Sequence, residues 1–178
     1  MKSICTINSI GDKEWRLNNL FHREDGPAYE GVDGTKEWWV NGELHREDGP
    51  AIEWSNGDKH WYINGNLHRV DGPAFEGSNG AKEWWINGEL HREDRPAVEY
   101  LDGTKHWYLH SLFHREDGPA IEHANGDKEW YLNDKRHRED GPAIESVNGY
   151  KEWYYQGKKI DCETQERFVK MMKMKAFL

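Results

Sequence analysis

The chain has 178 residues, with 24 Lys and Arg against 33 Asp and Glu and a formal net charge of -9, so one modest acidic unit is expected. A mean hydropathy of -1.09 with 32% charged residues would suit a disordered chain, were it not for ten Trp, eight Tyr and five Phe, whose rings bury much area when a framework sets them side by side. No run approaches the roughly 20 apolar residues of a membrane span, and residues 1–11 lack the apolar core of a signal peptide, which reads as a cytoplasmic protein. Cys5 and Cys162 lie near opposite ends without a His or Cys partner at metal spacing, so neither a disulfide framework nor a zinc site is indicated.

The first element, Met1 to Ser9, is an uncovered half-unit whose open edge could pair between chains as a dimer. Behind it the chain repeats every 23 residues without a slip. Trp recurs at Trp15, Trp38, Trp61, Trp84, Trp107, Trp130 and Trp153, and Lys stands two residues before each, from Lys13 to Lys151. His-Arg begins at His22, His45, His68, His91, His114 and His137. All six prolines, Pro27 to Pro142, precede an Ala and stand three residues before a Glu. Fixed spacing of this kind describes a stacked array in which each unit completes its apolar face with its neighbours.

Two reversals mark each unit. The first reads Asp33-Gly34, Asn56-Gly57 and so on to Asn148-Gly149, and a type I′ hairpin is expected there. The second, eight residues later, reads Asn41-Gly42, Asn64-Gly65 and Asn87-Gly88, then His110-Ser111, Asn133-Asp134 and Gln156-Gly157. A short strand such as Lys36–Val40 lies between them, and a long one such as Glu43–Glu53 follows, kinked at Asp-Gly-Pro because Pro lacks a ladder donor. Arg95 replaces that Gly in the fourth copy, so positive φ is not required there and the kink rests on Pro. Alternation along the short strand predicts two ladders. The invariant indoles would form one, touching from unit to unit, and Trp39, Tyr62, Trp85, Tyr108, Tyr131 and Tyr154 the other.

The period ends at Asp161. Phe168, Met171, Met172 and Ala176 then recur at helical spacing, with acids early and lysines late, which predicts an amphipathic helix over residues 164–178 whose Phe168 and Met172 cap the Trp153 unit. The fold expected is therefore all-β: an elongated single-layer antiparallel β-meander of about seven hairpin repeats over residues 1–160, closed by a capping helix over 161–178.

The pattern Trp-x-x-Asn-Gly-x-Leu-His, as in Trp38 to His45, with a following Asn56-Gly57, resembles a variant MORN repeat over roughly residues 1 to 160. MORN units usually continue with Gly after the His, where this chain inserts Arg-Glu-Asp-Gly-Pro-Ala. The resemblance implies a twisting single-layer sheet that serves as a binding scaffold, and similarity to antitoxin-like and phage-encoded arrays implies an inhibitory or immunity role. Trp153-Tyr154-Tyr155 is also similar to choline-binding and glucan-binding hairpins, which implies the rival reading, an aromatic cage for a sugar, choline or nucleotide.

His-Arg-Glu-Asp suggests acid/base chemistry, but copies along a ladder are what stacking demands of structural residues, and a non-enzymatic protein is expected. In that reading each Arg forks to an Asp or Glu of the adjacent unit. Successive His would lie roughly 9 to 10 Å apart, too far to share one metal ion, and no cofactor is implied. Residues 158–178 carry a local +3, leaving -12 on the array. That charge repels nucleic acid and suits a host or toxin protein with a basic surface. The contact residues expected are those that vary at regular positions, namely Trp54, Tyr100 and His123, with Trp39, Trp85 and Tyr108 on the second ladder.

Overall fold

The computed structural model describes residues 2–162 and 164–175. Its strands are antiparallel and follow one another in meander order, with one helix at the C-terminal end. The chain divides into two compact units, Met1–Glu89 and Leu90–Leu178. No helix among the described residues is long and apolar enough to cross a membrane.

In the copies between the first and the last, the expected short and long strands are each broken in two, whereas Lys13–Leu17 and Lys151–Tyr155 run unbroken through Trp15 and Trp153. Lys36–Val40 becomes Lys36–Glu37 and Trp39–Val40, interrupted at Trp38. The indole-bearing residue turns its backbone to two partners: its N–H donates to the Ala51 carbonyl and its own carbonyl accepts the His45 N–H. Glu43–Glu53 likewise becomes Glu43–Leu44 and Ile52–Glu53. Lys36–Glu37 and Ile52–Glu53 belong to the continuous sheet of the first unit, while Trp39–Val40 and Glu43–Leu44 form a separate two-stranded hairpin.

Register explains two invariant residues. Across the first unit the paired positions run Lys13, Glu30, Lys36, Glu53, Lys59, Glu76 and Lys82, opposite charges facing at every step. The second unit repeats this from Glu99 through Lys105, Glu122, Lys128 and Glu145 to Lys151. Opposite charges facing across the strands favour this register, Lys13 reaching Glu30 at 3.2 Å, and a slip of one residue would break the whole row.

The invariant indoles do not stack on one another as expected. The contact that recurs on them is a guanidinium: Arg23 lies 4.1 Å over Trp15, Arg46 4.0 Å over Trp38, Arg69 4.2 Å over Trp61, Arg115 4.1 Å over Trp107 and Arg138 3.9 Å over Trp130. Nor does the arginine fork to the adjacent unit. Arg46 Nε donates to Asp48 at 2.8 Å, and its Nη1 donates to the Pro50 carbonyl at 3.1 Å and to Glu53 at 3.2 Å. Arg115 and Arg138 do the same within their own copies. A planar fork satisfies three acceptors and one ring face at once, whereas reaching a neighbour would strand the Pro carbonyl.

The glycine of Asp-Gly-Pro follows from this. Its φ is not positive, as expected, but a Cβ at Gly49 would stand 2.9 Å from the Arg46 guanidinium carbon, and one at Gly72 2.8 Å from that of Arg69. The position is kept small for close approach, not for backbone freedom. At Arg95 the copy departs, and burial together with the Arg95 charge lowers the affinity of Arg92 for its proton, against the pull of Glu99.

The reversals also differ from expectation. At the first, only the glycine is left-handed (Gly34, φ 95), with Gly34 N–H donating to the Gly31 carbonyl and Gly31 N–H to the Thr35 carbonyl, so this is a longer loop than type I′. The second has both residues left-handed, Asn41 at 54 and Gly42 at 83, as type I′ requires. Where glycine is missing, a side chain compensates: Ser111 Oγ accepts the Leu90 N–H at 3.0 Å and Asp134 Oδ1 the Phe113 N–H at 2.7 Å.

Successive copies are stitched at both reversals. Asp12 Oδ1 accepts the Val32 N–H, Asp58 the Ser78 N–H and Asp127 the Val147 N–H, each from the next first loop. At the other side Gly42 N–H donates back to the Phe21 carbonyl and Gly65 N–H to that of Leu44.

The helix spans Gln165–Lys175, and Thr164 Oγ1 accepts the Arg167 N–H at its start. Phe168 is fully buried with Trp153 and Cys162, and Ile160, Met171 and Met172 pack around them. This is the expected cap; Ala176 lies outside the described residues.

Arg69→Lys should lower stability by about 1 to 2 kcal/mol, since the ammonium keeps the charge but loses the fork and the stacked plane, while Arg95→Gly should raise it; urea unfolding midpoints check both. Phe168→Ala should cost about 3 to 5 kcal/mol and Met174→Ala close to nothing by the same measurement.

Candidate functional site

Because side chains alternate along a strand, the Lys–Glu row and the arginine-covered indoles share one face of each sheet, and the intervening residues share the other. The paired positions on that second face run Glu14, Tyr29, Glu37, Ile52, His60, Phe75 and Glu83 in the first unit. In the second they run Val98, His106, Ile121, Glu129, Ile144 and Glu152. The arginine face is nearly identical from copy to copy, and the second face is where the copies differ.

In the second unit the differing residues join without a gap. The Tyr100 ring lies 5.2 Å from His106, which lies 6.2 Å from Tyr108 and 5.5 Å from Phe113. Tyr108 stacks on Phe113 at 4.3 Å, and Phe113 meets Tyr131 at 5.4 Å. The Arg136 guanidinium then lies 5.8 Å over Tyr131 and 5.4 Å over Tyr154. Tyr100 and the neighbouring Leu101 are 43% and 76% exposed, so the surface is open to solvent at that end.

Carboxylates pin the rings. Glu129 Oε2 accepts the Tyr131 hydroxyl at 3.0 Å and Arg136 Nη2 at 3.2 Å, and its Oε1 lies 3.2 Å from His123 Nε2. Burial alone would raise the Glu129 carboxyl, but bonds from His123, Tyr131 and Arg136 outweigh it and hold the group below the usual carboxylate range. Burial pushes His106 down, and the charge of His123 adds to the effect. At the far end a bond from Lys159, then bonds from Tyr150 and Tyr154, hold Glu152 down to about 2.

The six residues singled out from the sequence are distributed over both units. Tyr100, Tyr108 and His123 belong to the network just described. Trp39 lies half-buried in the first unit, tied by its Nε1 to Glu37 at 2.7 Å and packed on Phe21 at 5.6 Å, and Trp85 is tied to Glu83 at 2.8 Å. Trp54 is 43% exposed. His106, Phe113, Glu129 and Arg136 were not anticipated as part of a site. For Phe113 and Arg136 the signal lies at one repeat position, where Phe21, Leu44, Leu67, Leu90 and Phe113 give way to Arg136 and Lys159.

The opposite face carries clefts between consecutive His-Arg-Glu-Asp loops. One of 610 Å³ in the first unit is floored by Trp38 and Val40, and one of 570 Å³ in the second by Trp130 and Leu132. Their rims carry Glu24, Asp25, Glu47 and Asp48, or Glu116, Asp117, Glu139 and Asp140, all largely exposed. The rival cage reading would place a ligand on these indoles, and each of them already carries an arginine. Among the described residues no group of three or more His, Cys, Asp or Glu could hold a metal ion.

No protein-family model matches this chain, and no curated protein matches it.

Lys159→Met should remove the bond that depresses Glu152. Because the folded value lies below the ordinary 4.5, its contribution is present above that pH and lost as the pH falls toward about 2. Wild type should therefore exceed the variant in urea-unfolding stability at neutral pH, and the difference should shrink below about pH 4.

Proposed function

We propose that the protein is a non-enzymatic binding scaffold that covers part of a partner protein with the ring surface running from Tyr100 to Tyr154. The observation that carries this reading is the unbroken series of ring contacts on the face whose residues differ between copies. Stacking dictates the arginine face, so recognition is free to be written only on the other. Half-exposed Tyr and Arg held in fixed rotamers by Glu129 lose little entropy on binding and supply the side chains in which interface energy concentrates.

Likeness to MORN-type arrays of the antitoxin and phage kind supports an inhibitor or immunity protein that acts by occlusion. The charge of -9 favours a partner with a basic surface.

The partner is to be identified by affinity capture from lysate with mass spectrometry, and its Kd then measured. Tyr100→Ala and Tyr108→Ala should each weaken binding about tenfold or more, with the unfolding midpoint of Tyr100→Ala unchanged. Glu47→Ala, on the opposite face, should bind within about twofold of wild type. Wild-type affinity in both tyrosine variants would overturn the assignment of this face.

A further inference from the structure

The histidines of the His-Arg-Glu-Asp loops lie outside the ring surface and have a connection of their own. The N–H of Asn41 donates to His22 Nδ1 at 3.0 Å, that of Asn87 to His68 Nδ1 at 3.1 Å, and that of Gln156 to His137 Nδ1 at 3.1 Å. His45 receives the Asn64 N–H at 3.2 Å and His91 the His110 N–H at 3.4 Å. In each case the donor is the left-handed first residue of the next copy's second turn, with φ of 54, 49, 52, 51 and 49 for Asn41, Asn64, Asn87, His110 and Gln156. A backbone N–H can bond to an imidazole nitrogen only while that nitrogen has no proton. His45 and His114 differ, with Nδ1 3.0 Å from the Asn64 and 2.8 Å from the Asn133 side-chain oxygen, which a protonated nitrogen can also satisfy.

We propose that His22, His68 and His137 form proton-sensitive joints between consecutive repeats: a proton added at Nδ1 removes the acceptor on which the next turn hangs and sets N–H against N–H. The surrounding charges do not offset this equally. Nε2 of His22 lies 3.8 Å from Glu24, with Lys2, Arg23 and Asp25 around the same cleft. Nε2 of His137 lies 3.7 Å from Glu139, its ring meets Tyr155 at 4.9 Å, and its cleft holds Arg115, Glu116, Asp117, Arg138 and Asp140. Glu24 and Glu139 are 84% and 72% exposed, so solvent screens what they return to an imidazolium. At His68 the corresponding residue is Val70, and Arg69 and Asp71 are paired with each other. The His68 joint therefore has no carboxylate at that position to pair with an imidazolium, and the test is made there. The effect is independent of which surface binds a partner.

Amide hydrogen exchange at about pH 7.5 and about pH 5, corrected for intrinsic rates, tests this. Relative to the Trp61 amide, which donates to the Ala74 carbonyl, the Asn87 amide should lose about tenfold protection at the lower pH. In His68→Gln, whose side-chain oxygen accepts the same N–H at either pH, that loss should vanish. Equal protection of Asn87 at both pH values in the wild type would overturn the proposal, and so would an undiminished loss in the variant. The wild-type comparison alone decides should the variant not fold.

Discussion

A guanidinium pressed flat against an indole is the contact on which this molecule rests. So polar a chain buries few large aliphatic side chains beside its fully buried alanines, and the array closes its Trp with an Arg whose edges, as at Arg46, are consumed by an Asp, a Glu and a Pro carbonyl of the same copy. Desolvating an arginine is costly when its donors are left over. Here the fork is filled, the ring supplies the remaining face, and the side chain stays about one fifth exposed, as at Arg46. The neighbouring glycine, the proline and the glutamate three residues beyond it are then parts of one device and not separate signals.

That device accounts for the strand lengths. A side chain that turns back on its own backbone closes the loop from His45 to Ala51 as a compact bend, and no extended strand can run through it. The inner copies are left with two-residue strands whose register is held by opposed Lys and Glu and by loop-to-loop bonds such as Asp58 to Ser78. The ladder of charge and the ladder of arginines share a face, and the opposite face carries the buried Ile52, Val98 and Ile121 together with the rings that differ between copies.

Much of this was legible in the sequence. The 23-residue period, the β class, the two reversals and the cap built on Phe168 follow from spacing and turn chemistry, which are local properties. What the arginine bonds to was not legible, because an Asp or Glu of the same copy and one of the next copy stand at equivalent positions in a perfect repeat. For the same reason Trp38 next to Trp61 in the period did not translate into contact. Of the ring network, Tyr100, Tyr108 and His123 could be found as departures from the repeat. Glu129 could not, since Glu14, Glu37 and Glu83 occupy its position elsewhere, and only the arrival of Arg136 gives it a new role.

Nearly all the bonds that hold one copy reach no further than the copy beside it, as Gly65 to Leu44 and Ser78 to Asp58 show. A whole period could be duplicated or excised during evolution with each remaining copy still finding an equivalent neighbour. Length is thus inherited in steps of one period, and a lineage can reorder the variable face by shuffling copies before altering any single side chain.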